Sequence, residues 1–213
     1  MQYPINARNK ITRAKERGDY DKEAVFKILD AGKICDVGFA VNRQPFVIPM
    51  AYARVGENII LHGSVVSRLA KLLATGIPAC VTVTHLDGLV LARSPFSHSL
   101  NFRSVVAFGT AKLIEDPQAK LEAMDQLVEF LTPGRSTHCR PPNKKEINAT
   151  LMLNFNIDQA SAKIRSGGPK DTKADLDQDA WAGTVPITQV TGEWIPADDL
   201  KGGVELPDYH YQY

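Results

Sequence analysis

From residue 33 to residue 114 the chain repeats one pattern: a short run rich in apolar and β-branched residues, then a tight polar turn. "KICDVGFAV" ends at Asn42-Arg43-Gln44. "PFVIPMAYARV" ends at Gly56-Glu57-Asn58, and "PACVTVTHL" at Asp87-Gly88. Connections this short join antiparallel neighbours and leave no room for a parallel crossover. "IILHG", "LVLAR", "FRSVVAFGTAKLI" and "ATLMLNFNI" supply further strands, with Gly109 placed to mark a bulge. Pro49 has no amide hydrogen to give a ladder, so it suits an edge, a bulge or a strand facing a ligand. The expected fold is mainly β: an antiparallel barrel of six or seven strands with flanking helices, without the βαβ alternation of a doubly wound sheet.

Helices interrupt the strands at three places. Asp21 to Leu29 carries Val25, Ile28 and Leu29 as a stripe and meets Gly32 as a stop. A second helix is expected from Ser64 to Thr75-Gly76. The third spans 117–131, with Leu121, Met124, Leu127, Val128 and Leu131 on one side. "TPGRSTHCRPPNKKE" reads as a loop. Residues 1–18 form a basic, irregular lead-in, residues 19–157 the barrel domain, and residues 158–213 a C-terminal arm. That arm is rich in Gly, Pro and Asp, yet Trp181, Ile187 and Trp194 call for packing on the barrel or on a partner.

A chain of 213 residues with 44% apolar and 23% charged residues can bury a real core. The formal net charge of +1 supplies no global field for nucleic acid or a membrane surface, so any phosphate site must be local. No run is long and apolar enough for a membrane helix, and the polar N-terminus lacks a secretory core. Three widely spaced cysteines, Cys35, Cys80 and Cys139, make neither a disulfide framework nor a zinc site. These features suggest a cytoplasmic protein. His62, His85 and His98 have no spacing that specifies a metal site and no carboxylate beside them in sequence, and the acids of "DTKADLDQD" lack the glycine and glutamate of a calcium loop.

The stretch "LHGSVVSRLAKLL" (61–73) concentrates polar chemistry. On a helix begun at Ser64, Ser67, Arg68 and Lys71 fall within about a third of the circumference around Ser64. Leu69, Leu72 and Leu73 face the other way. Unpaired amides, two hydroxyls and two cations would then face one anion, and Gly63 would let its backbone come close. A solvated face with an ordinary serine cap is the plain alternative. His62 stands beside this patch, either as a structural histidine or as a proton donor. "SHSLNFRSV" adds Asn101, Arg103 and Ser104. An arginine in a β-branched run needs a carboxylate or a bound anion as partner. Lys163 and Arg165 alternate in "SAKIRSG" and point the same way on an extended chain.

Together "PFVIPMAY", "IILHGSVVSRLAKLL", "DGLVLARSPFSHSLNFRSVVAFGTA", "SAKIRSGGP" and "WAGTVP" resemble the flavin-nucleotide-binding proteins of the pyridoxamine-phosphate-oxidase-like superfamily, in the branch holding the nitroimidazole-resistance proteins. The resemblance runs from about Arg17 to Pro186. It implies a split barrel, a homodimer, and FMN in each of two grooves between the subunits. Val47, Ile48, Pro49 and Met50 would run along the flavin ring. Ser67 and Arg68 match phosphate ligands of the oxidase pattern. The lysine of that pattern is Leu69 here, with Lys71 as its substitute. The oxidase Arg-Gln-Val block is Arg103-Ser104-Val105 here. Gly63, Ser64, Asn101, Lys163, Arg165 and Trp181 complete the expected cofactor set. His62 matches a histidine near the active site of the resistance branch. The resemblance implies a flavin-dependent oxidoreductase fed by NADH or NADPH. Its alternative is a non-catalytic flavin or haem carrier or sensor. The substrate residues of true pyridoxamine phosphate oxidases are not recognisable.

Overall fold

The computed structural model describes residues 1–209; the last four residues of the expected arm, 210–213, lie outside it. Eight strands follow in order: β1 (Gly18–Asp19), β2 (Ile34–Val41), β3 (Gln44–Val55), β4 (Asn58–Ser64), β5 (Pro78–Leu91), β6 (Ser99–Leu113), β7 (Thr150–Arg165) and β8 (Gly183–Pro186). Four helices join them: α1 (Lys22–Ala31), α2 (Arg68–Ala74), α3 (Pro117–Leu131) and α4 (Lys144–Ala149). None is long and apolar enough to cross a membrane.

Every strand pairing is antiparallel. The order β7-β4-β3-β2-β5-β6 closes on itself because β6 also pairs with β7. The other edge of β7 is shared. β4 takes Thr150–Asn156, β1 takes Ala162 and Lys163, and the ring opens between them. The expected antiparallel barrel with flanking helices is therefore present, and it is split.

The tight turns do what their residues allow. Asn42 and Arg43 both have positive φ (51° and 66°), as a two-residue hairpin turn between Val41 and Gln44 requires. Gly56, at φ 59°, does the same between β3 and β4. α1 is capped by Asp21, whose side chain accepts from the Glu23 amide. It sends Val25, Ile28 and Leu29 into the barrel, while α2 sends in Leu69, Ala70 and Leu73. One core thus fills the ring, with Tyr52, Leu61, Val81, Val105 and Phe155 on its walls. A second cluster lies outside the ring, where Ala123 and Leu127 of α3 cover Ala53, Ile60 and Met152.

Several expectations shift. Asp87-Gly88 is no turn: β5 runs straight through, and the register slips between Leu86 and Gly88 so that Asp87 is the extra residue of a bulge. The strand expected from "ATLMLNFNI", β7, does not stop at Ile157 but continues to Arg165, where small residues (Ala160, Ser161, Ala162) are buried against β6. Inside the expected loop, Asn143 and Glu146 form a reciprocal capping box that starts α4. The lead-in is pinned by the Tyr3 amide, which donates a hydrogen bond to Tyr20 O, and by Asn9, which donates to Ala160 O.

Gly109 does mark a bulge, whose extra residue, Asp158, sits on the partner strand. A Cβ at Gly109 would stand 1.8 Å from Asn156 O. Gly109→Ala should therefore cost about 3 kcal/mol in urea unfolding. Gly168→Ala, at a site with open space, should leave the midpoint unchanged.

Candidate functional site

Each half of β3 is paired on one side only. β4 meets it from Tyr52 to Val55, whereas β2 meets it from Gln44 to Ala51. Residues 44–51 therefore present a bare strand edge, and Pro49 lies in it, where no ladder needs its missing amide. Val47 and Pro49 share the outer face, opposite Gly38 and Asp36 of β2; Ile48 and Met50 share the other, opposite Val37 and Cys35. Val47 is 67% exposed and Ile48 36%, beside Ile34 at 63%. Met50 packs on the core. Among the described residues this uncovered apolar wall has no partner in the chain.

At its end stands α2. The Arg68 guanidinium lies 4.6 Å from the centre of the Phe46 ring, which itself stacks on Phe39. Lys71, three residues on, shares the helix side with Arg68. Both cations are exposed, and neither has a carboxylate partner among the described residues. The serines differ from expectation. The helix begins at Arg68, not Ser64, because β4 continues through Ser64, which pairs with Thr150. Ser67 is the N-cap and accepts from the Ala70 amide at 3.3 Å. Ser64 accepts from the Val66 amide in the turn before it. Gly63 also has another reason than a ligand: a Cβ there would meet Ala70 Cβ at 2.8 Å, so it lets α2 dock.

His62 pairs with Met152 in register and is half-buried. Its Nδ1 is buried without a hydrogen-bond partner. Burial pulls its pKa below the ordinary 6.5, which keeps the ring neutral at pH 7.

The remaining expected residues gather on the β5–β6–β7 wall. Arg103 makes a two-pronged ion pair with the bulge residue Asp87, at 2.8 and 2.9 Å, and this bond holds its pKa above the usual value. Of the two partners foreseen for it, the carboxylate is the one in place. Ser104 Oγ donates to Lys163 O at 3.3 Å, and Lys163 stands in register with both Ser104 and Gly18. Arg165 donates to Asn101 Oδ1 and to the carbonyls of Gly167 and Gly168. Trp181 is 69% exposed and lies over Gly183 of β8. In the ring, β6 is opposite β3. No hydrogen bond, ion pair or ring contact joins this group to Arg68 and Lys71 among the described residues.

A cleft of about 770 Å³ between α3 and the following loop was not foreseen. Met124, Val128, Arg135, His138 and Arg140 line it, and Tyr209 closes on it by stacking edge-on with His138. No three His, Cys, Asp or Glu side chains gather to hold a metal ion among the described residues.

A ring of six antiparallel strands, split at β7 and plugged by two helices, with free cations beside an uncovered strand edge, defines the split-barrel class. Residues 21–164 match the pyridoxamine 5'-phosphate oxidase family, and the chain belongs to it. Among solved structures it is similar to the flavocytochrome Anf3 of Azotobacter vinelandii: 38% identity, TM-score 0.90, with 95% of this chain and 94% of that one covered. It is also similar to the FAD- and haem-binding protein of Mycobacterium smegmatis, at 36% identity and TM-score 0.86, over 90% of this chain and 94% of that one. A candidate 5-nitroimidazole resistance protein of Bacteroides thetaiotaomicron shares the fold at 21% identity and TM-score 0.59, over 69% and 86% of the two chains. No curated protein matches the sequence.

The His62 environment has a consequence for stability. A histidine whose pKa is lowered by folding binds its proton more readily when unfolded, so stability falls as pH drops below 6.5. Urea midpoints taken from pH 7.5 down to 5 should fall more steeply for the native sequence than for His62→Leu. Parallel curves would show that His62 is not the group involved.

Proposed function

We propose that this protein binds a flavin nucleotide and uses it in redox chemistry. The observation that carries the reading is the pair of unpaired cations, Arg68 and Lys71, next to the uncovered apolar edge of β3. A flavin needs both features: a holder for its phosphate and a flat apolar wall for its ring. Arg68, Lys71 and the Ser67 hydroxyl would hold the phosphate, and Val47, Ile48, Pro49 and Met50 would line the ring. Bound flavin supplies hydride and electron transfer, with reduced nicotinamide as the proposed donor. The chain's own part is to position the ring, exclude water and neutralise the phosphate charge.

FMN and FAD share the ring and the first phosphate, so these residues suit either. The family match favours FMN; the Mycobacterium smegmatis relative is named for FAD, which favours the dinucleotide. A second copy of the chain completes the groove on this reading, because no contact joins the Ser104 and Lys163 wall to Arg68 among the described residues.

His62 supports a second ligand. A neutral imidazole with an unpartnered buried nitrogen, among apolar neighbours, is the form that ligates haem iron. Both of those relatives are named for a haem beside the flavin, and we extend that to this chain with His62 as the iron ligand.

The purified protein should be coloured, with flavin absorption and a haem Soret band, and NADH or NADPH should bleach the flavin. Chromatography of the nucleotide released by heat distinguishes FMN from FAD. Colourless protein that takes up no added flavin would sink the proposal. Arg68→Ala should weaken flavin binding by about 1.5–3 kcal/mol. His62→Ala should remove the Soret band and keep the flavin.

A further inference from the structure

Two segments outside the family match, the lead-in and the loop after β7, are brought together by β1. Its Gly18 stands opposite Lys163, so the neighbouring Arg17 comes beside Ile164 and Arg165. Gly167 takes φ +94°, a left-handed turn suited to glycine, and carries the loop back past the Arg165 side chain. The result is a pocket of about 200 Å³ lined by Glu16, Arg17, Ile164, Arg165, Ser166 and Lys170.

Its charge is unbalanced. Two arginines and a lysine face one carboxylate, and that carboxylate, Glu16, is 68% exposed and 3.7 Å from Arg17. Arg165 is 7% exposed, and its bonds go only to an amide oxygen and two carbonyls. Among the described residues no carboxylate reaches it. Three of its five N–H donors are used in these bonds, which leaves two. A buried guanidinium without a counter-ion is costly, and Arg17 beside it adds repulsion. Burial first, and the Arg17 charge second, lower its pKa from the ordinary value. A bound anion removes both penalties at once.

We propose that this pocket binds the phosphoryl group of a nucleotide. Phosphate is the anion whose size and acceptor count suit a space this small with two arginines and a lysine around it. Two sources share that chemistry. One is the further phosphate of a flavin dinucleotide, which rests on the flavin reading above. The other is a separate nucleotide, which does not rest on it.

The test uses the full-length protein with Arg17→Ala and Lys170→Ala combined, and Arg165→Lys as a variant that keeps the buried charge. ADP and inorganic pyrophosphate are titrated by calorimetry, and FAD is compared with FMN by competition. A dinucleotide phosphate in the pocket predicts that the double variant loses FAD affinity tenfold or more while FMN affinity holds. A separate nucleotide predicts that ADP and pyrophosphate binding falls tenfold or more while both flavins hold. Arg165→Lys should weaken the same ligand by a smaller factor. If the protein binds no flavin but loses ADP binding in the variants, the pocket stands and the flavin reading fails. Changes under twofold for every probe would overturn the pocket.

Discussion

The closure of β6 onto β7 is the constraint from which the other features follow. The two strands pair from Phe102–Arg165 to Leu113–Leu153 with a single slip at Asp158, and this pairing turns a curved sheet into a ring. A ring of six strands has an interior that side chains and short helices can fill. α1 and α2 enter it with small and branched apolar residues, and one core results. Closure requires the chain to bend, and the Asp158 bulge opposite Gly109 is where it does so. Only a residue without a Cβ fits against Asn156 O at that bend.

Closure also fixes what is left open. Since β7 serves β6 from Leu153 to Arg165, its other edge is divided between β4 and β1, and the barrel splits. β4 leaves β3 after Tyr52, which strips the partner from residues 44–51. α2 then places Arg68 beside that bare edge, with Gly63 giving the helix room. Bare apolar strand and unpaired cations are thus two results of one topology.

Much of the ring was legible because its signals are local. β-branched runs and positive-φ turn residues mark β2, β3 and β4 directly, and the apolar stripes of α1 and α3 fall where periodicity puts them. The misreadings arise where distant pairing decides. Ser64 looks like a helix cap, but Thr150 holds it in β4. Asp87-Gly88 looks like a hairpin turn, but Arg103 on β6 takes the Asp87 carboxylate and the strand continues. The end of β7 is buried through small residues, which give hydrophobic patterning little to detect. Asn143 and Glu146 carried a readable cap signal that the surrounding Pro, Lys and Arg residues masked. The cationic patch at Arg68 and Lys71 was legible as chemistry, while the roles of Ser64 and Gly63 depended on neighbours no local pattern reveals.

The placement of the polar residues on the ring bears on how the proposed flavin would be enclosed. Arg68 lies against Phe46 of β3, whereas Ser104 and Lys163 lie on β6 and β7, and no hydrogen bond, ion pair or ring contact joins the two sets among the described residues. Either the second set serves only the fold, or it meets the ligand from another copy of the chain. Arg103 and Arg165 fit the first role in part, since Asp87, Asn101 and backbone carbonyls already take most of their donors. The exposed Ile34, Val47 and Leu86 on the outer faces of β2, β3 and β5 argue for the second. A barrel that buries its core well and still leaves such residues bare on one continuous run of strands has surface that another chain can cover. On the proposed reading, that covering brings the β6–β7 wall of one copy to the phosphate-holding cations of the other.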